Sequence, residues 1–104
     1  MERQRQAERL GALIPSVLKR VEREHHALAV VQRLWREVAG RRLAAHTRPI
    51  SLRRGRLVVS VEGPGDSFAL SFERGRIVDR LREATGGKVD ELIVRPGEGK
   101  QRNP

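Results

Sequence analysis

The chain has no cysteine and no tyrosine, one methionine, one tryptophan and two phenylalanines in 104 residues. The missing cysteine excludes disulfides and thiolate metal sites. Since only Trp35, Phe68 and Phe72 are aromatic, a core has to come mainly from Leu, Val, Ile and Ala. No apolar run approaches the roughly 18 residues that would suggest a membrane span. The start, Met1-Glu2-Arg3-Gln4-Arg5-Gln6, leads to no hydrophobic signal core. A soluble, cytoplasmic protein without membrane contact is expected. Catalytic constellations are missing too. His25, His26 and His46 are the only histidines, and adjacent histidines on a helix point to different sides, which suits no shared metal. There is no Ser-His-Asp spacing, no carboxylate pair set among apolar residues, and no GxxxxGK[ST] or GxGxxG after a strand. No enzyme activity, metal, cofactor or small-molecule substrate is expected.

Acid is scarce where base is plentiful. The chain has 22 Lys and Arg against 13 Asp and Glu, a net charge of +9. Residues 27–56 hold Arg33, Arg36, Arg41, Arg42, Arg48, Arg53, Arg54 and Arg56 and only one acid, Glu37, so most of that charge sits in one third of the protein. A positive field this concentrated usually meets a polyanion. Arginine guanidinium groups bind phosphate bidentately, where lysine acts as a point charge. The candidate nucleic-acid contacts are Arg41, Arg42, Arg48, Arg53, Arg54 and Arg56. The segment Arg53-Arg54-Gly55-Arg56 would present three guanidinium groups at a hairpin tip. Contacts of that kind hold a backbone and carry no sequence information.

One small domain fits this length, burying roughly 65% of its unfolded surface. Residues 1–9 read as a flexible basic lead, residues 10–95 as the folded domain, and residues 96–104 as a disordered tail. Leu10, Leu13, Ile14, Val17, Leu18 and Val21 have helical spacing, with Pro15 placing the helix start near Ile14. Ala27, Val31, Leu34, Trp35 and Val38 form a second apolar stripe, continued by Leu43, with Gly40 ending that helix or packing closely within it. A strand is expected over Thr47–Arg53 with Ile50 and Leu52 on one face, Pro49 confining it to an edge or a strand start. Arg54-Gly55 reads as a turn, and Arg56–Glu62 is the clearest strand, with Leu57, Val59 and Val61 alternating. A third helix, capped by Asp66 or Ser67, would carry Phe68, Phe72, Ile77, Val78 and Leu81, with Gly75 interrupting it and Gly86-Gly87 ending it. Lys88–Arg95 is the last strand, with Leu92 and Val94 on one face.

The order α-α-β-β-α-β predicts a small KH-like α+β domain, a three-stranded sheet packed against helices. The final crossover allows a strand parallel to one of the hairpin strands. Trp35, Leu34, Val38, Val59 and Phe68 are the expected structural core. For Trp35, a stacking platform for a base is the alternative. The GXXG loop by which KH domains clamp a strand is missing.

A family likeness rests on Trp35, Val38-Ala39-Gly40, Leu43-Ala44, His46-Thr47 and Pro49, then Leu52, Gly55-Arg56-Leu57-Val58-Val59-Ser60-Val61, an aromatic opening the next helix, and a strand ending near Arg95. Over residues 10–96 this pattern resembles the DciA family of bacterial proteins. The family often has tryptophan where this chain has Phe68. The resemblance implies a KH-like fold and a non-enzymatic accessory role in DNA replication. It also implies DNA binding, single- or double-stranded and independent of sequence, and a DnaB-type replicative helicase as the partner helped to load. Many members carry a long extension, whereas nine residues follow Arg95 here, so the helicase contact is expected on the folded domain. A KH-like RNA-binding module, for example in ribosome assembly, is the alternative reading of the same scaffold.

Overall fold

A computed structural model describes residues 2–97, with side chains from residue 15 onward. Met1, the segment 98–104, and the side chains of Leu10, Leu13 and Ile14 lie outside the described residues. The elements in chain order are α1 (Glu2–Ala39), α2 (Arg41–Ala44), β1 (Thr47–Arg53), β2 (Arg56–Val61), α3 (Pro64–Phe72), α4 (Arg74–Ala84) and β3 (Glu91–Pro96).

The two helices expected before residue 40 are one helix. Residues 2–9, read as a lead, are its first turns, and Pro15 lies inside it. A proline within a helix lacks one N–H donor and so forgoes one i→i−4 bond. Between the stripes, Glu22, Arg23, Glu24 and His25 are polar but helix-compatible, so nothing there forces a stop. At about 1.5 Å per residue α1 is about 57 Å long, close to the longest dimension of the molecule, 60 Å. Among the described side chains, those in its C-terminal half reach the core. Ala27, Val31, Trp35 and Val38 are buried, at helical spacing, whereas Val17 and Leu18 are exposed. Gly40 ends the helix at φ 94°, and α2 follows as a single turn.

The sheet order is β1-β2-β3, with β1 antiparallel to β2 and β3 parallel to β2. The hairpin turn has φ 50° at Arg54 and 82° at Gly55. Positive φ at both central residues matches the right-handed twist of the strands that it joins. Gly55 suits its left-handed φ, and a Cβ there would lie 2.5 Å from Asp90 Oδ2, so that exposed carboxylate would have to turn aside. The Gly55 carbonyl accepts from the N–H of Asp90 (2.8 Å) and of Glu91 (3.0 Å), which starts the parallel ladder of β3. Pro49 sits on the edge strand, and its carbonyl is taken by Gln32 Nε2 at 3.0 Å.

The register shifts between Pro49 and Ser51. This bulge corrects the expected pairing of Ile50 with Leu52. Thr47, Pro49 and Leu52 point inward, and Ile50 is the extra residue, half-buried. Leu57, Val59 and Val61 from β2, Leu92 from β3, Leu70 from α3, and Ile77, Val78 and Leu81 from α4 complete the core with α1. All helices cover that one face.

The third helix also differs from expectation. It is two helices, broken at Glu73 (φ −91°, ψ 3°) and not at Gly75. Gly63 is its N-cap and Pro64 its first residue; Asp66 lies in the first turn, and no side chain caps it. Leu34 is half-buried against the core. Phe68, read as core, is 75% exposed, and Phe72 is 81% exposed. Leu70, the buried residue of α3, fixes the phase of that helix. At 100° per residue Phe68 and Phe72, two positions to either side of it, stand nearly opposite.

Candidate nucleic-acid interface

Strand alternation builds the outer face of the sheet. Because Leu52, Leu57, Val59, Val61 and Leu92 turn inward, their neighbours turn outward. The register sets them in three rows across the strands: Arg53–Arg56–Glu91, Ser51–Val58–Ile93 and Arg48–Ser60–Arg95. Among the described residues no helix covers this face. The outer rows lie roughly 13 Å apart along β2, and the strands span roughly 10 Å. Ser51, Val58 and the exposed Ile93 fill the middle, and arginines hold three of the corners.

Arg53 and Arg56 are directly paired across the hairpin. Like charges in that position cost about 0.2–1 kcal/mol. Glu91 relieves part of it, with Arg56 Nε 3.9 Å from Glu91 Oε2. Arg54 lies in the turn, where its backbone N–H donates to Glu24 Oε2 at 2.7 Å and ties the hairpin tip to α1. Its side chain, with those of Arg20 and Arg53, borders a hollow of ≈510 Å³ between α1 and the tip.

The other arginines gather at the opposite end of β1. Arg36, Arg41 and Arg48 line a groove of ≈590 Å³ whose wall includes Trp35, Ala44 and Pro49. No acid lines it. Arg42 is exposed on α2. The six expected contact residues are therefore not one cluster. They form two groups, Arg41, Arg42 and Arg48 at one end and Arg53, Arg54 and Arg56 at the other, joined by the edge strand and roughly 15–20 Å apart along it. Among the described residues, none of Arg41, Arg42, Arg48, Arg53 and Arg54 makes an ion pair, in contrast to Arg76 with Glu73 and Arg82 with Asp79 and Asp90.

Three residues of this surface escape reading from sequence. Arg20 and Arg36 sit on α1 and join through tertiary contact. Arg95 arrives through the parallel pairing of Ser60 with Arg95. Only Arg95 had a local signal: if Leu92 and Val94 face inward, Arg95 faces outward.

Trp35 belongs to the frame behind this surface. It is 4% exposed. Its Nε1–H donates to Thr47 Oγ1 at 3.0 Å, and the Thr47 hydroxyl donates to the Leu43 carbonyl at 2.7 Å. This chain of bonds fixes α2 and the start of β1 against α1, and so sets where Arg41 and Arg48 project. No face of the ring is free to stack a base. Beside it, His46 Nδ1 lies 3.4 Å from Glu62 Oε1, and both side chains are about half exposed. Among the described residues there is no group of three or more His, Cys, Asp or Glu placed to hold a metal ion. No described helix is long and apolar enough to cross a membrane.

Fold and surface together define a class, a small α+β domain with a three-stranded mixed sheet and arginines at both ends of its edge strand. Comparison with curated proteins gave no match. The chain belongs to the DciA family: the family model described as Dna[CI] antecedent, DciA, matches residues 9–94, well over half of the chain. This is a family of non-catalytic, helicase-loader-related proteins, and a general accessory role in DNA replication follows from membership.

Proposed function

We propose that this protein is a non-enzymatic accessory factor of bacterial DNA replication, acting in the cytoplasm, that binds DNA without sequence preference, contacts the DnaB-type replicative helicase and assists its loading. The observation that carries the DNA part is the pair of arginine groups at the two ends of β1, Arg41, Arg42 and Arg48 at one and Arg53, Arg54 and Arg56 at the other. The planar guanidinium fork is preorganised for phosphate, so less entropy is lost per hydrogen bond formed than with a flexible ammonium. These arginines reach backbone oxygens and offer no base-reading geometry, which fits binding to any sequence. The helicase part rests on family membership.

The test has two parts. Affinity for a single strand, a duplex and a structured RNA is measured by fluorescence anisotropy from low to moderate salt. A steep linear fall of log K with log salt is expected, with DNA bound at least as tightly as RNA. A clear preference for RNA would move the protein to ribosome assembly or a related role. Unwinding of a forked substrate by the cognate helicase is then compared with and without the protein. Faster loading without ATP hydrolysis by this protein supports the reading. No binding to the helicase at micromolar concentration and no change in unwinding would refute the helicase part.

A further inference from the structure

Two of the three aromatic side chains in this protein are displayed to solvent. Phe68 and Phe72 are one helical turn apart on α3 and are 75% and 81% exposed. Leu70 on the same helix is fully buried, which fixes the phase: the two rings point away from the core and project on the same side. A folding chain has no use for this. Burying either ring would be worth about 1.5–3 kcal/mol, and Ala69 and Leu70 already supply an inward face.

The surroundings suit an anion. α3 packs between α2 and α4. α2 brings Arg41 and Arg42, and α4 opens with Arg74; among the described residues none of the three makes an ion pair, and all are exposed. Two acids of this end are already engaged, Glu62 with His46 and Glu73 with Arg76. Asp66 sits in the first turn of α3, where the helix dipole favours a carboxylate. The arginine-lined groove beside Trp35 includes Arg41, and α2, which carries Arg41, touches α3.

We propose that Phe68 and Phe72 form a stacking platform for two unpaired bases of single-stranded DNA, with Arg41, Arg42 and Arg74 holding the flanking phosphates. This rests on the nucleic-acid reading above and adds to it a preference for single strands. Rings at i and i+4 have Cβ atoms about 5–6 Å apart, within the spacing of successive bases on an extended strand. Aromatic stacking is tolerant of sequence because every base has a π-face. The role weighed for Trp35 thus falls to the two aromatics that the fold leaves outside. Duplex DNA, whose bases are already stacked on one another, would use the arginines alone.

The experiment compares the parent with F68A/F72A and F68L/F72L, on an oligo-dT strand, on an abasic strand of the same length, and on a duplex. Both rings are exposed, so all variants should melt like the parent. The parent should bind oligo-dT at least about thirtyfold more tightly than the abasic strand, from about 1–3 kcal/mol for each of the two stacked bases. F68A/F72A should bind the two alike, at the level of the parent on the abasic strand, with duplex affinity and salt slope unchanged. F68L/F72L should behave like the alanine variant, since leucine keeps apolar area without a π-face. Parent-like affinity of either variant for oligo-dT overturns the stacking platform. If those variants bind normally while R41A/R42A weakens binding, the DNA reading stands and the platform falls; the aromatic pair is then a protein-docking surface. If the parent binds no nucleic acid at all, both readings fall.

Discussion

Trp35 is where the domain should be most sensitive to a single substitution. Trp35→Ala removes a large side chain that is almost fully enclosed by α2, β1 and the rest of the core. Truncations of this kind cost about 3–5 kcal/mol, against a total stability of about 5–15 kcal/mol for a domain of ordinary size. The hydrogen bond is a smaller part. When Nε1 is removed, the Thr47 hydroxyl keeps its bond to the Leu43 carbonyl, so no buried donor is orphaned. Trp35→Phe, which keeps most of the apolar area, should therefore cost only about 1–2 kcal/mol. Thr47→Val reverses the case: it leaves the indole N–H without an acceptor and should cost about 1–3 kcal/mol. Urea unfolding followed by far-UV circular dichroism orders the three. Each kilocalorie lowers the melting temperature by about 4–8 °C in a domain of this size. In the parent and in Thr47→Val, Trp35 is the sole tryptophan and its fluorescence reports the same transition. The reasoning fails if Trp35→Ala costs under about 1.5 kcal/mol, or if Trp35→Phe is as damaging as Trp35→Ala. Either result would mean that the indole is not what fixes α2 and β1 to α1.

Replacing Arg48, Arg53 and Arg56 together with alanine should weaken DNA binding equally across sequences and reduce the salt slope by about one for each phosphate left without its arginine. Its melting temperature should not fall, because the like-charged Arg53–Arg56 pair is removed; an unchanged salt slope would take the sheet face out of the interface. Gly40→Ala should destabilise more than Gly55→Ala. Gly40 has φ 94° and ψ 152°, a backbone region essentially reserved to glycine, where a side chain costs about 1–3 kcal/mol. Gly55 has φ 82°, and the atom that a Cβ there would strike, Asp90 Oδ2, is the end of an exposed side chain that can turn aside. Thermal melts of the two variants check the order; a lower melting temperature for Gly55→Ala would show that Asp90 is held in place.

The sequence by itself determined the small α+β class, the strand pair with its Arg54-Gly55 turn, the edge position of Pro49, the burial of Trp35 and the family. Each follows from a local rule: alternation over Arg56–Val61, the φ that Gly55 can reach, the N–H that proline lacks, the apolar stripe around Trp35. The basic third was equally legible, since composition needs no fold. Other features depended on contacts that local pattern does not encode. The long α1 arose because polar residues 22–25 are neutral about ending a helix. The bulge at Ile50 moved Thr47 and Pro49 inward, through one extra residue that no periodicity marks. α3 is apolar on two sides, so hydrophobicity alone assigned Phe68 to the core; only the packing of Leu70 under β2 and β3 selected the other side and left the rings in solvent. Arg95 reached Arg48 through a parallel pairing across a crossover. The tertiary structure also divided the arginines into two groups, because residues close in sequence on either side of a strand lie at its opposite ends.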